Sequence, residues 1–250
     1  MDSSIAVSII IPAYNEEGII RETVTAVSEY MAESGHGAEL IFVDDGSSDA
    51  TAEIIGGFSE HNEKITLVSY KPNMGRGYAL KQGINAAAGK YIITTEADLT
   101  WGLDIVGEIL ERLESGNPDI VIASPYLRGG NLEQIPAYRK IISKYANKII
   151  SIIFKGRITM ATGMTRGYRA EVFESIMPQS NGKQFHLEML ILALSAGLTI
   201  LEIPAVLSWK NIKGSRMNMH KATGIIKSIG LHLTLLLKMK SSIAEIRKNL

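Results

Sequence analysis

The chain has 250 residues and a mass of 27.3 kDa, 46% hydrophobic and 21% charged, enough to bury one sizeable core and incompatible with a disordered tail or a disulfide mini-protein. With no cysteine it has no disulfide, thiolate nucleophile or cysteine-held zinc, so any metal must be bound by oxygen or histidine. The formal net charge of +0 is unevenly spread: residues 137–169 carry eight Lys/Arg and no acid, and residues 210–250 carry nine against Glu245 alone, so one side of an otherwise acidic molecule is suited to meet anions.

The N-terminus lacks the basic start and small-residue cleavage site of a signal peptide, and Val7 to Pro12 reads as a first strand buried on both faces. Ile19, Ile20, Thr23, Val24, Val27, Tyr30 and Met31 recur at helical spacing, with Gly35 as the stop. Leu40 to Val43 repeats the strand signal before Asp44 and Asp45. Ser47 or Ser48 is the expected cap of the next helix, through Ile54 and Ile55. A strand at Ile65–Val68, a small-residue helix over 75–88, a strand at Tyr91–Thr94, a helix over 105–113 and a strand at Ile120–Ala123 complete the alternation. Strands alternating with helices predict an α/β fold, a mostly parallel sheet with helices on both faces.

Beyond residue 130 the regularity fails. Residues 138–154 read as an amphipathic helix, with Ile141, Ile142, Tyr145, Ile149 and Ile152 opposite Lys140, Lys144 and Lys148. Short strands near 164–168 and 199–209 flank a helix over 186–196, and a last helix spans about 221–240. No apolar run reaches the roughly 18 residues that a membrane span needs. The expected organisation is a catalytic domain over 1–220 and a basic amphipathic, membrane-interfacial segment over 221–250.

In open parallel sheets ligands sit beyond the carboxyl ends of the strands. Three strands here end in polar residues: Pro12 to Glu17, Asp44 to Ser47, and Glu96-Ala97-Asp98. Acids at strand ends also serve as helix caps, but three such ends point to one crevice. Glu96 and Asp98, two apart on an extended segment, would put both carboxylates on one side, where with a diphosphate they suit Mg²⁺ or Mn²⁺. Asn73 to Gly77 lacks the complete dinucleotide-binding pattern, no phosphate loop of the nucleotide triphosphatases is present, and the five histidines show no metal spacing. The basic segments lack the interleaved aromatics of a nucleic-acid binder, Tyr138 and Tyr145 apart.

Val7 to Glu16, Val43 to Asp49, Asn73 to Gly77, Glu96 to Leu99 and Gly167 to Arg169 together resemble the family 2 inverting glycosyltransferases of the GT-A fold. Within them the chain is most similar to the dolichol-phosphate mannosyltransferase and polyprenyl-phosphate hexosyltransferase group, which implies transfer of a hexose from a nucleotide sugar of the GDP-mannose or UDP-glucose type to a polyprenyl (dolichyl) phosphate. The resemblance implies that Pro12, Tyr14, Glu16, Val43 and Asp45, with Glu96 and Ala97, surround the nucleotide. It implies that Asp98 and Glu96 hold Mg²⁺ or Mn²⁺, that Arg139 meets the acceptor phosphate, and that Lys210 and Arg216 lie at the donor diphosphate. Glu96 stands where the family usually has aspartate, Thr100 where the mannosyltransferases often have glutamine, and Pro125 where they have an arginine that Arg128 would have to replace. A phosphate acceptor is already anionic and needs no general base. The implied enzyme acts peripherally on the cytoplasmic face of a membrane, without nucleic acid. Two alternatives stay open: transfer to a sugar or protein hydroxyl with Glu188 as base, and a nucleotide-sugar-binding module without turnover.

Overall fold

The computed structural model describes residues 5–209 and 222–249. Its main sheet has seven strands in the order β3-β2-β1-β4-β7-β5-β8. These are β1 (Val7–Ala13), β2 (Ala38–Asp44), β3 (Ile65–Ser69), β4 (Tyr91–Thr94), β5 (Ile120–Ser124), β7 (Arg166–Arg169) and β8 (Ile200–Pro204). All pair in parallel except β7, which runs antiparallel between β4 and β5. Two short strands, β6 (Asn131–Glu133) and β9 (Val206–Ser208), form a separate parallel pair.

The central strands are apolar throughout because helices cover both faces. Val7, Ile9, Ile10 and Ile11 of β1 and Ile41, Phe42 and Val43 of β2 are wholly buried. The covering helices are α1 (Ile20–Ser34), α2 (Thr51–Ser59), α3 (Arg76–Ala86) and α4 (Asp104–Glu114), followed by α5 (Ala137–Ile153), α6 (Val172–Ser175) and α7 (Phe185–Ser195). Gly35 closes α1 in the left-handed conformation, as its position predicts.

Three expectations need correction. Neither Ser47 nor Ser48 caps α2: Asp49 accepts the Thr51 N–H and hydroxyl instead, while Ser47 Oγ accepts the Asn15 N–H and Ser48 donates to Asn15 Oδ1. The serines thus join the loops after β1 and β2. The C-terminal helix is two helices, α8 (Ala222–Lys238) and α9 (Lys240–Asn249); α9 returns to α7 and buries Ile243 and Ile246. The strand expected at 164–168 starts only at Arg166, because Met164 instead offers its carbonyl to the Thr94 hydroxyl.

Chain order reverses between β1 and β4, so the carboxyl ends of these neighbouring strands splay and leave a crevice. Glu16 follows the first, and Glu96 and Asp98 the second.

Candidate active site

Asn15 lies in the left-handed region at φ 56° in the loop after β1, held there by its bonds to Ser47 and Ser48. This turn places Glu16 close enough to Asp98 for their charges to interact. Tyr14 is exposed, and Pro12 is partly buried at the end of β1. Val43 is wholly buried with its side chain toward α3, so it offers the crevice backbone and not side chain.

The loop after β2 is organised by Asp45. Its carboxylate accepts from the Tyr70 hydroxyl at 3.0 Å, Asn73 Nδ2 at 2.9 Å, and the backbone N–H groups of Met74 and Gly75. The residue expected at the nucleotide is therefore also the anchor that ties 70–75 to β2. Burial and the neighbouring Asp45 push the Tyr70 hydroxyl well above the ordinary tyrosine range.

Glu96 and Asp98 do not lie on an extended segment. The chain turns after Thr94, and Leu99 takes φ 49°. The two carboxylates still interact. Asp98 is nearly buried and accepts the Thr100 N–H at 3.2 Å. Burial first, and the Glu96 charge second, raise its carboxyl to about 7. Glu96 Oε2 accepts from the Thr100 hydroxyl and Trp101 Nε1, and Oε1 lies 4.0 Å from an Arg76 guanidinium nitrogen. The Ala97 carbonyl accepts the Thr23 hydroxyl, which pins this turn to α1. Among the described residues no three acidic or histidine side chains are grouped to hold a metal unaided. Two carboxylates fit Mg²⁺ or Mn²⁺ when phosphate and water oxygens complete the shell.

Next to Glu96 opens a cavity of about 370 Å³. Glu96, Arg76, Arg139 and Lys183 are its charged lining near the acidic turn; Ile142, Ile149 and Ile150 of α5 and Ile229, Leu233 and Leu236 of α8 form apolar walls. Arg139 stacks on Trp209, 4.9 Å from the ring centre, and its Nε donates to the Tyr138 hydroxyl. Lys183 is exposed at the cavity wall, where partial desolvation, together with the charges of Arg76 and Arg139, lowers its pKa. Lys210 and Arg216 lie outside the described residues, which break off at the cavity wall with Trp209.

Arg128 is exposed, outside the lining of this cavity. Glu188 is also elsewhere: its two carboxylate oxygens accept the backbone N–H groups of Gln179 and Ser180 at 2.9 and 2.8 Å. It anchors a loop.

Sequence reasoning missed Arg76, Lys183 and Trp209. Arg76 lies inside the Asn73 to Gly77 motif, which hinted at it; Lys183, in a polar turn, gave no signal. Arg166 also went unread. It is wholly buried, and its guanidinium donates to the carbonyls of Gly163, His186, Met160 and Ala161, which fixes the loop that carries the cavity residue Thr162.

A family model for glycosyl transferase family 2 matches residues 8–177, two thirds of the chain, and spans every element that builds the acidic turn. The chain belongs to this family. It is 28% identical over 237 residues to the dolichyl-phosphate beta-glucosyltransferase of Saccharomyces cerevisiae, covering 86% of this chain and 70% of that protein. It is 26% identical over 208 residues to the glycosyltransferase AglD of Haloferax volcanii, covering 81% of this chain but only 33% of AglD. The chain thus spans about a third of one relative and most of the other. Glucosyl-3-phosphoglycerate synthase from Mycobacterium tuberculosis, solved with Mn²⁺, UDP and glucosyl-3-phosphoglycerate, superposes with a TM-score of 0.61 at 18% identity, over 81% of this chain and 70% of that one. This likeness establishes the GT-A-type fold.

Proposed function

We propose that the chain transfers a hexose, with inversion, from a nucleotide sugar to a polyprenyl phosphate at a membrane surface. The observation that carries this reading is the single cavity in which apolar walls from α5 and α8 lead to Arg139, Arg76 and Glu96. A hydroxylated sugar would gain little from such walls, whereas a prenyl chain with a charged head matches both parts. The name of the yeast relative supports the lipid acceptor and favours glucose over mannose. The mycobacterial complex with Mn²⁺ and UDP supports a uridine nucleotide and a divalent ion.

In this reaction an acceptor phosphate oxygen attacks the anomeric carbon from the face opposite the nucleotide. The bond from that carbon to the diphosphate oxygen breaks, and the electron pair leaves with the diphosphate. The attacking oxygen is already ionised, so no side chain has to take a proton. Arg139 orients it. Asp98 and Glu96 would hold the Mg²⁺ or Mn²⁺, which neutralises charge on the departing diphosphate. Lys210 and Arg216 belong to the same proposal at the diphosphate.

The membrane contact is read from α5. Tyr138, Ile141, Tyr145, Ile149 and Ile152 form an exposed stripe, each 54–63% accessible, beside exposed Lys144, Lys148 and Lys155. Apolar residues flanked by lysines suit the interface of an anionic bilayer. Ile149 belongs to both stripe and cavity, so a lipid in the membrane reaches the cavity without crossing water. No described helix is long and apolar enough to cross a membrane.

The test is incubation with a polyprenyl phosphate, Mn²⁺ and a panel of labelled sugar nucleotides. UDP-glucose should yield a labelled lipid and Asp98→Ala should abolish it. Sugar-nucleotide binding without product under any acceptor would establish the inactive module instead, and undiminished transfer by Asp98→Ala would remove the metal assignment.

A further inference from the structure

We infer that Lys183 is a binding residue for the acceptor phosphate, an inference that rests on the lipid-phosphate reading above. Lys183 lines the cavity yet forms no hydrogen bond or ion pair with any described residue. The Lys183 ammonium sits at the cavity wall with an exposed face, and the neighbouring guanidinium groups of Arg76 and Arg139 repel it, so an anion entering the cavity would relieve like-charge repulsion. Among the described lining residues, Arg76, Lys140 and Lys183 join Arg139 around one acid, Glu96. A phosphate monoester carries about −1.5 to −2 at neutral pH and suits such a cationic lining.

The placement is built in by a clasp between distant parts of the chain. Glu188 fixes the N–H groups of Gln179 and Ser180. The Asn181 carbonyl accepts the N–H groups of Gly77 at 2.7 Å and Tyr78 at 3.1 Å, and Lys81 Nζ reaches Gln179 O and Asn181 Oδ1. Gly77 has no room for a Cβ, which would press on the Ser180 carbonyl and come within 2.9 Å of Gly182 O. The turn that delivers Lys183 is therefore seated on the first turn of α3, which begins with Arg76. The backbone positions that carry the two cations are fixed relative to each other before any anion arrives, so only side-chain ordering remains to oppose binding. The apolar walls beside Lys183 and Arg139 assign the anion to the lipid acceptor and not to the nucleotide.

The experiment compares Lys183→Met and Lys183→Arg with the unmodified full chain, using a short-chain polyprenyl phosphate, the corresponding prenyl alcohol and UDP with Mn²⁺ as separate probes. Lys183→Met should weaken prenyl phosphate binding about ten- to a hundredfold, as expected for one lost charge-assisted contact, and raise the acceptor KM in step. Binding of the alcohol and of UDP should change less than twofold, Lys183→Arg should restore most of the loss, and the melting temperature should not fall. Unchanged prenyl phosphate affinity in Lys183→Met overturns the inference, as does a loss confined to UDP, which would move Lys183 to the donor. Failure of the unmodified chain to bind prenyl phosphate overturns the lipid reading as well, so the two failures are distinguishable.

Discussion

Asp98→Asn should stabilise the protein at alkaline pH and do little at acid pH. The Asp98 carboxyl rises from an ordinary 3.8 to about 7, first because it is buried and second because Glu96 lies beside it. Between these two values the folded chain keeps a proton that the unfolded chain releases, so unfolding becomes easier as pH increases. This group's stabilising contribution is full below about pH 4 and is lost as pH rises through 7. At about 1.36 kcal/mol per unit the whole shift corresponds to about 4 kcal/mol, of which about 3 falls between pH 5 and pH 8. Asparagine keeps an oxygen for the Thr100 N–H, bonded at 3.2 Å, and removes the ionisation. Denaturant melts with a chelator present, run from pH 5 to pH 8, should show the variant gaining about 3 kcal/mol over the unmodified protein. Added Mn²⁺ should narrow the gap, because a cation that binds only the folded state stabilises the unmodified chain. Parallel curves, with a gap constant to about 0.5 kcal/mol, would refute the claim that burial and Glu96 govern this carboxyl.

Glu188→Gln should cost about 1–3 kcal/mol, because an amide offers one acceptor oxygen where two backbone N–H groups now each have their own. In steady-state assays its effect should appear in the acceptor KM with an unaltered pH profile; a collapse of kcat with KM unchanged would restore Glu188 as a base. Gly77→Ala should lose about 1–3 kcal/mol of stability by overpacking the clasp, read from the denaturant midpoint, and should raise the acceptor KM as Lys183 is displaced. Ile152→Glu, at a position 63% exposed and outside the cavity, should leave stability within about 0.5 kcal/mol yet cut cosedimentation with anionic vesicles about tenfold or more. Equal sedimentation would remove α5 from the membrane contact.

The parallel strands were legible because burial on both faces forces continuous apolar runs, as in Ile9-Ile10-Ile11 and Ile41-Phe42-Val43. β7 escaped that rule. Arg166-Gly167-Tyr168-Arg169 looks like surface, yet Arg166 and Tyr168 are wholly buried between β4 and β5. The polarity of Arg166 is met by carbonyls three to six residues earlier, in the 160–163 loop, and by that of His186 twenty residues on, in an irregular turn that no helix or strand periodicity encodes. The site divides the same way. Glu96 and Asp98 were readable because they end a strand at the point where the sheet's order reverses. Lys183 was not, because what puts it in the cavity is a clasp to Gly77 and Tyr78 more than a hundred residues earlier.

The basic run over 137–169 illustrates how far a charge count carries. Read as a block, its eight cations suggest one anion-facing surface. The structure gives them separate tasks. Arg166 is buried among carbonyls, Arg169 donates to Leu113 O and Pro118 O, Lys140 holds Leu132 O, and Arg139 stacks on Trp209 in the cavity. Only Lys144, Lys148, Lys155 and Arg157 remain exposed. On the membrane reading proposed above, Lys144, Lys148 and Lys155 at about 1 kcal/mol each would contribute about 3 kcal/mol toward an anionic surface, a millimolar-scale attraction by itself. On that reading firm docking would depend on inserting the apolar stripe, and salt should weaken vesicle binding without abolishing it.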